Sequence, residues 1–250
     1  MPPNLPPATV SRLVLLRRFL SDQLADGVAY AFSYEIAHYV HATAATVRRD
    51  LMSIGCAGNP ARGYSVEDLL SRTVELLESC AVQRAVLVGI GNLGRALLSY
   101  VPGRVPGITI VAAFDSNPQR VDRVVSGCRT YPTSELLRIA AAQQISVGII
   151  AVPAAAAQDV ADLLIAAGVE AIFNCAPVGL RVPDGMHVEH MDVMMYLERA
   201  AYYACRAAMS GTRSRAYETN RSDSGRARFH ARWPDTDPPG SAGGTRLPVA

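Results

Sequence analysis

An α/β chain, with a small helical domain set ahead of a doubly wound parallel sheet, is what three observations in the sequence predict. The first is a glycine spacing after an apolar run. Ala85–Val88 is followed by Gly89, Gly91 and Gly94, then by a helical pattern at Leu93, Ala96, Leu97 and Tyr100. The second is alternation. Short apolar runs recur at Ile108–Phe114, Val147–Val152 and Ala171–Asn174, and an alanine-rich helix over 154–167, closed by Gly168, separates the last two. The third is an opening set of short helical patterns, the last of which carries adjacent arginines at Arg48 and Arg49.

Taken in order, the chain begins Pro-rich and then forms an amphipathic helix from Ala8 to Asp26. Leu13, Leu16, Leu20 and Leu24 make its apolar stripe, Arg12, Arg17 and Arg18 cluster in its first half, and Gly27 ends it. Ser33 is the expected N-cap of a short helix through about Val40, supported by Ile36. A turn at His41–Thr43 leads to a third helix, about Ala44–Ile54. There Val47 and Leu51 share an inward face, and Arg48 and Arg49 point outward, where they can reach phosphates or guanine edges. Two helices joined by a tight turn suit a helix-turn-helix. A small bundle with a solvated arginine face suits the composition equally, since residues 1–64 hold six arginines against four acids. From Gly55 to Tyr64 three glycines and a proline predict a loop or small hairpin, at the place of a wing. Residues 66–80, with Val66, Leu69, Leu70, Val74 and Leu77, predict a linking helix packed between the two halves. The first domain is thus set at 1–80.

Residues 81–190 predict a Rossmann-like domain. In strand–turn–helix context, Gly89 permits the tight turn, Gly91 lets the backbone approach a pyrophosphate, and Gly94 lets helix and strand pack closely. The free N–H groups at the helix start then receive phosphates. Asp115 ends the second strand about 20 residues past the glycines, where a carboxylate can bind a ribose 2′-hydroxyl. It would repel a 2′-phosphate, and no arginine follows it directly (Ser116, Asn117), so NAD(H) is expected over NADP(H). A glycine turn in some other α/β unit is the alternative. Two further runs end at the carboxyl edge of the sheet, at Ala151-Val152-Pro153 and Asn174-Cys175-Ala176-Pro177. The cleft they line is small and apolar enough for a nicotinamide ring. Residues 191–210 form a last helix, from Asp192 to Met209, with so little polar face that burial is expected, against a second subunit or in the chain's own core. Residues 211–250, rich in Gly, Pro, Ser, Arg and Asp, predict a disordered tail.

Composition narrows the chemistry. No apolar run reaches the roughly 18 residues of a membrane span, and the N-terminus lacks the regions of a signal peptide, so a cytoplasmic protein is expected. All 24 basic residues are arginine, which excludes Schiff-base chemistry and lysine bases. Residues 1–210 hold 17 arginines against 18 acids, and residues 211–250 hold seven against four, so net charge by itself does not point to nucleic acid. Five cysteines (Cys56, Cys80, Cys128, Cys175, Cys205) show neither a CxxC pair nor zinc spacing and are expected to be idle thiols. Neither a metal site nor a catalytic residue is assigned.

The sequence resembles the Rex family of redox-sensing transcriptional repressors, bacterial proteins that bind operator DNA and leave it when NADH is bound. The resemblance runs in register over about residues 8–209. It rests on SRL at Ser11–Leu13, Arg18, VRRDL at Val47–Leu51, the Gly55–Tyr64 frame, VGIGNLG, FDSNP at Phe114–Pro118, AVP at Ala151–Pro153, NCAPV at Asn174–Val178 and MDV at Met191–Val193. It implies a winged helix-turn-helix, a Rossmann-like domain and a C-terminal helix swapped between the subunits of a homodimer. It implies that Thr43, Thr46, Arg48 and Arg49 meet the operator major groove, with Arg62 on the wing. It implies that Gly89, Gly91, Asn92, Leu93, Gly94, Asp115, Ala151, Val152, Pro153, Asn174 and Pro177 line the NAD(H) site, and that Arg18, Tyr100 and Asp192 form a switch network. Tyr100 alone would more often be a core tyrosine. One departure stands out: where the family's wing carries basic residues, this chain has Asn59 and Pro60, leaving Arg62 alone, or the tail's arginines, to reach phosphates.

Two other functions fit parts of the sequence. An NAD-dependent oxidoreductase could use His187, His190 and Asp192 as acid and base, although the cleft-edge segments hold almost no titratable groups. A nucleotide-dependent module that has lost DNA binding fits the altered wing.

Overall fold

The computed structural model describes residues 5–79 and 82–209. Helix α1 (Pro7–Ala25) starts on a proline in its first turn, where a missing N–H costs nothing. Its buried face is Thr9, Leu13, Leu16 and Leu20. Leu24, expected in the same stripe, is 45% exposed and lines a surface cleft with Gly27, Val28 and Tyr30. Strand β1 (Tyr30–Ala31) precedes α2 (Ser33–Tyr39). Ser33 is the first residue of that helix and not its cap. The Phe32 N–H donates to the Glu35 carboxylate at 2.7 Å, while the Ser33 hydroxyl accepts from Arg48 Nη1 at 3.0 Å. The sequence missed this because the true cap partner is the acid three residues on.

The turn into α3 (Ala44–Ser53) passes through His41 at φ 53°, left-handed backbone that a tight helix–helix turn requires. Thr43 caps α3, its hydroxyl accepting the Thr46 N–H at 3.1 Å. Strand β2 (Tyr64–Ser65) pairs antiparallel with β1 across the two intervening helices, and an antiparallel bridge between Asn59 and Gly63 closes a small hairpin within the Gly55–Tyr64 segment. Helix α4 (Val66–Leu77) follows at once, capped by the Ser65 hydroxyl on the Asp68 N–H. Its Val66 and Leu69 join Leu13, Leu16, Leu20, Ile36, Val47 and Leu51 in one core. That corrects the expected spacer between halves: α4 completes the first domain's core. Each such fully buried aliphatic contributes about 1.5–3 kcal/mol.

The second core surrounds a seven-stranded sheet of order β5-β6-β4-β3-β7-β8-β9. Its strands are β3 (Gln83–Val88), β4 (Ile108–Asp115), β5 (Val124–Val125), β6 (Cys128–Pro132), β7 (Val147–Ile150), β8 (Ala171–Asn174) and β9 (His187–His190). All pair parallel except β5 with β6. Helices α5 (Asn92–Tyr100), α6 (Leu136–Gln143) and α7 (Ala154–Ala166) connect them. Ala85 to Val88 are all buried to 1% exposure or less. Val86 and Val88 face the core formed with α6 and α7, and Ala85 and Leu87 face the one containing Leu98 of α5. A strand buried on both sides is therefore continuously apolar. The sheet grows outward from β3 in both directions, so the crevice between β3 and β7 is the topological switch point.

Helix α5 presents Gly94 and Leu98 to the sheet. Leu93, Ala96 and Tyr100, expected in the apolar stripe, are exposed, because the small Gly94 sets which face can approach the strand. The chain divides after Val193. Helix α8 (Val193–Met209) has no buried residue, and Met194, Tyr196, Leu197 and Tyr202 are 60%, 55%, 58% and 64% exposed. The burial expected of this helix is not seen among its described residues. The tail over 211–250 and Cys80 lie outside the described residues. Among the described residues no helix is long and apolar enough to cross a membrane.

Candidate nucleotide and nucleic-acid sites

The turn between β3 and α5 requires its glycines for three different reasons. Gly89 has φ +102°, and a Cβ there would stand 2.4 Å from the Ala151 carbonyl oxygen. A Cβ on Gly94 would stand 1.9 Å from the Gly89 oxygen. Gly91 is the residue before the helix, and nothing lies within 4 Å of where its Cβ would be. That open space adjoins the first N–H groups of α5, the geometry that admits a phosphate. Asn92 accepts from Arg95 at 2.8 Å, and Leu93 is 39% exposed beside it.

Across the crevice, the Ala151 N–H donates to the Val88 oxygen at 2.8 Å, holding the end of β7 against the turn. Val152 is half-buried, and Pro153 precedes α7. Asn174 is fully buried, and its side chain organises the neighbouring loop. Its Oδ1 accepts the Ala176 N–H at 3.0 Å, and its Nδ2 donates to the Val178 oxygen at 2.8 Å and lies 3.2 Å from His190 Nδ1. Pro177 is exposed at the tip of that loop.

Asp115 sits at the end of β4, 6% exposed. Its Oδ2 accepts the Ile90 N–H at 2.7 Å, and its Oδ1 accepts the Asn117 N–H at 2.8 Å. Burial alone raises the carboxyl pKa. The N–H groups of Asn117 and Ile90, with Arg120 beside them, outweigh that and hold it below the usual carboxylate value. Arg120 was not anticipated from the sequence. A 3-10 turn at Pro118–Arg120, started by the Asn117 side chain on the Gln119 N–H, folds Arg120 Nη1 back to 3.4 Å from Asp115 Oδ2.

In the first domain, Val47 and Leu51 point inward and Arg48 and Arg49 outward. Thr43 and Thr46 join through their hydroxyls at 2.9 Å at the start of α3. Behind this face lies a cluster that the sequence analysis did not find. Asp50 is 8% exposed. It takes Arg12 Nε at 2.5 Å and Nη2 at 2.9 Å, and the Thr9 hydroxyl at 3.1 Å. The 38-residue separation of Arg12 and Asp50 hides the pair from any local pattern. The hairpin tip is closed by Asn59, which exchanges backbone bonds with Gly63 at 2.7 Å in each direction and accepts the Ala61 and Arg62 N–H groups on its side chain.

Family models match at both ends of the chain: "Putative DNA-binding protein N-terminus" over residues 4–51 and "CoA binding domain" over residues 82–178. Redox-sensing transcriptional repressors named Rex are similar over most of their length. That of Desulforamulus reducens is 38% identical, covering 78% of this chain and 93% of the relative. That of Chloroflexus aurantiacus is 39% identical, covering 81% and 96%. The chain belongs to the Rex family. Among solved structures, the Rex-family repressor RSP with β-NAD⁺ and operator DNA superposes with a TM-score of 0.75 at 27% identity, covering 84% of this chain and 97% of that one. RSP with β-NADH gives a TM-score of 0.74 at 26% identity, covering 85% and 100%.

Rex proteins are repressors and not enzymes, which removes the oxidoreductase alternative. His187 pairs with Glu189 at 2.9 Å, and His190 faces the Asn174 amide. Burial pushes the Cys128 and Cys175 thiols up to about 11 and raises that of Cys56, so all three are poor nucleophiles at neutral pH. Of the three residues expected in the Rex switch, Arg18 is exposed on α1, and Asp192 is half-buried just before α8. Tyr100 ends α5, 55% exposed, with the Arg104 guanidinium 4.9 Å from its ring centre, so it is no core tyrosine.

Although Asn59 and Pro60 replace the wing's basic residues, the hairpin is built. Gly63 carries it: its φ is +79°, and a Cβ would stand 2.5 Å from the Ala31 oxygen. Gly55 has a similar φ of +76° with open space around it. Gly63→Ala is therefore expected to cost about 3 kcal/mol in denaturant unfolding and Gly55→Ala only about 1. Equal losses would show that the clash, and with it the hairpin, does not persist in solution.

Proposed function

We propose that this chain is a cytoplasmic homodimeric repressor that occupies operator DNA and is released when NADH binds its glycine turn. The observation that carries this reading is the joining, in one Rex-family chain, of an outward Arg48–Arg49 pair on a capped α3 and an open Gly91 turn facing Asp115. The proposed division follows: residues 1–80 hold DNA, 81–190 hold the dinucleotide, and 191–210 form the dimer contact. The pyrophosphate lies on Gly89, Gly91 and Gly94, with Asn92 and Leu93 at its side. Asp115 takes the adenosine ribose, and Ala151, Val152, Pro153 and Pro177 enclose the nicotinamide. Asn174 acts by shaping the loop that carries Pro177. Thr43, Thr46, Arg48 and Arg49 read the major groove, and Arg62 reaches the adjacent backbone.

NADH and NAD⁺ differ by one hydride and one charge. A ligand shifts an equilibrium only through its differential affinity for two states. A pocket that prefers the neutral ring, coupled through Arg18, Tyr100 and Asp192 to two arrangements of the α3 pair, converts the NADH/NAD⁺ ratio into operator occupancy. The exposed apolar surface of α8 is what the second subunit covers. Selection of bound duplex from a random pool, repeated with NAD⁺ and with NADH, tests the reading. Enrichment of one sequence that NADH releases and NAD⁺ does not is the expected result. Equal retention under both nucleotides overturns it, and no enrichment at all indicates a module that has lost its operator.

A further inference from the structure

We propose that Gln158, oriented by Asp162, is a positioning residue of the nucleotide site: it fixes the loop that carries Pro177, and through it the grip on the nicotinamide half of the dinucleotide. The inference rests on the reading of the β3–α5 turn as a dinucleotide site and of Pro177 as a wall against the nicotinamide. Parallel neighbours in a sheet are usually joined by a helix, as β7 and β8 are by α7. Strands β8 and β9 are also parallel, yet the segment between them, 175–186, holds neither helix nor strand. Such a crossing has no ladder of its own, so side chains must supply partners for its backbone. Asn174 does so at the start, through the Ala176 N–H and the Val178 oxygen. Those bonds shape the turn around Pro177 but hold it from one side only.

Gln158 holds the other side. Its Oε1 accepts the Arg181 N–H and its Nε2 donates to the Arg181 oxygen, both at 2.9 Å, so one side-chain amide pairs with one residue's backbone as a neighbouring strand would. Leu180 and Val182, on either side of Arg181, pack against the sheet's core, but apolar contacts carry no direction and leave sliding open. The paired bonds remove that freedom. Nε2 also donates to Asp162 Oδ1 at 2.8 Å, one helical turn further along α7. A carboxylate only accepts, so Asp162 settles which end of the amide is nitrogen and keeps the oxygen for the Arg181 N–H. Helix α7 itself begins directly after Pro153. One helix therefore carries both walls of the cleft, Ala151–Pro153 at its start and Pro177 through the amide. On the adenosine side Asp115 is held by the Ile90 and Asn117 N–H groups, which belong to other loops.

The test titrates the full-length wild type and its variants with NADH, and with ADP-ribose, which lacks the nicotinamide, both by calorimetry. Gln158→Ala is expected to weaken NADH at least about five-fold and ADP-ribose less than about two-fold. Alanine suits a helix interior, and a thermal melt of each variant verifies the fold. Gln158→Glu is expected to weaken NADH at least as much, because it sets a carboxylate against Asp162 and the Arg181 oxygen. Adding Asp162→Asn to Gln158→Glu rebuilds an amide–carboxylate pair with the roles exchanged, and is expected to recover at least about two-fold of that loss. A loss of general stability would not be mended by that exchange, nor would it spare ADP-ribose. If Gln158→Ala changes both ligands by the same factor, or neither, the proposal is overturned while the dinucleotide site stands. If the paired exchange recovers nothing, the part given to Asp162 is overturned. If the wild type binds neither NADH nor ADP-ribose, the dinucleotide reading itself fails.

Discussion

A Gly94→Ala chain is expected to melt about 10 °C below the wild type, and a Gly91→Ala chain at the wild-type temperature but with at least about ten-fold weaker NADH binding. The two glycines lie three residues apart in one motif and fail for opposite reasons. At Gly94 the added carbon meets the Gly89 oxygen at 1.9 Å and Leu87 Cδ2 at 3.2 Å. The oxygen cannot retreat, because the Gly89 N–H is held by the Phe114 oxygen at 2.7 Å and the Ala151 backbone closes its other side. Helix α5 must therefore lift from the sheet, at a cost of about 3 kcal/mol or more. At Gly91 the backbone angles, φ −75° and ψ −163°, suit any residue, and nothing stands near. The methyl group fills only the space that a pyrophosphate would enter. Thermal melts and an NADH titration on both variants decide the matter. A Gly91→Ala chain with unchanged affinity would place the phosphates elsewhere, and a Gly94→Ala chain with an unchanged melt would mean that α5 is free to shift.

What was legible in the sequence was what a local pattern can encode. The glycine turn, its flanking strand and the acid at the end of β4 each follow from a few adjacent residues, and all stand where the spacing put them. Elements without a local signature were missed. Strand β9, HVEH, is an edge strand with three exposed residues, so no apolar alternation marks it. Strand β6 mixes a buried Cys128 and Thr130 with an exposed Arg129. Helix α6 spans only eight residues and ends at Gln144 in left-handed backbone, without the glycine that usually announces such an end. Contacts made by folding back were hidden as well. Arg120 reaches Asp115 through a single 3-10 turn, which is why the rule of a directly following arginine overlooked it. The face of α5 was misjudged because hydrophobicity pointed to Leu93 and Tyr100, whereas steric room at Gly94 decided which side meets the strand. For α8, the apolar surface was legible, and its residues are exposed.

Asp50→Ala is expected to lower the stability of the first domain by about 3 kcal/mol and to abolish operator binding while leaving NADH affinity unchanged. The carboxylate is the only group that joins α1 to α3 by charge among the described ion pairs, and it does so in bidentate form, with Arg12 Nε on one oxygen and Nη2 on the other. Removing it leaves the Arg12 guanidinium and the Thr9 hydroxyl facing an apolar wall of Leu13, Val47 and Leu51. Arg12 retains 22% side-chain exposure, so water reaches it in part and the loss stays near the lower end for a broken buried pair. Asp50→Asn keeps one acceptor oxygen and is expected to lose about half as much. The larger consequence is geometric. Val47 and Leu51 fix how deeply α3 is buried but tolerate rotation about its axis, since apolar contacts carry no direction. The fork of Arg12 on Asp50 removes that freedom, and so sets where Thr46, Arg48 and Arg49 point on the opposite face. Denaturant unfolding followed by both far-ultraviolet and nucleotide signals separates the two domains, and duplex binding reads the orientation. If Asp50→Asn held operator as tightly as the wild type while losing the expected stability, the pair would be a fastening for α1 alone and the aim of α3 would rest on its apolar face.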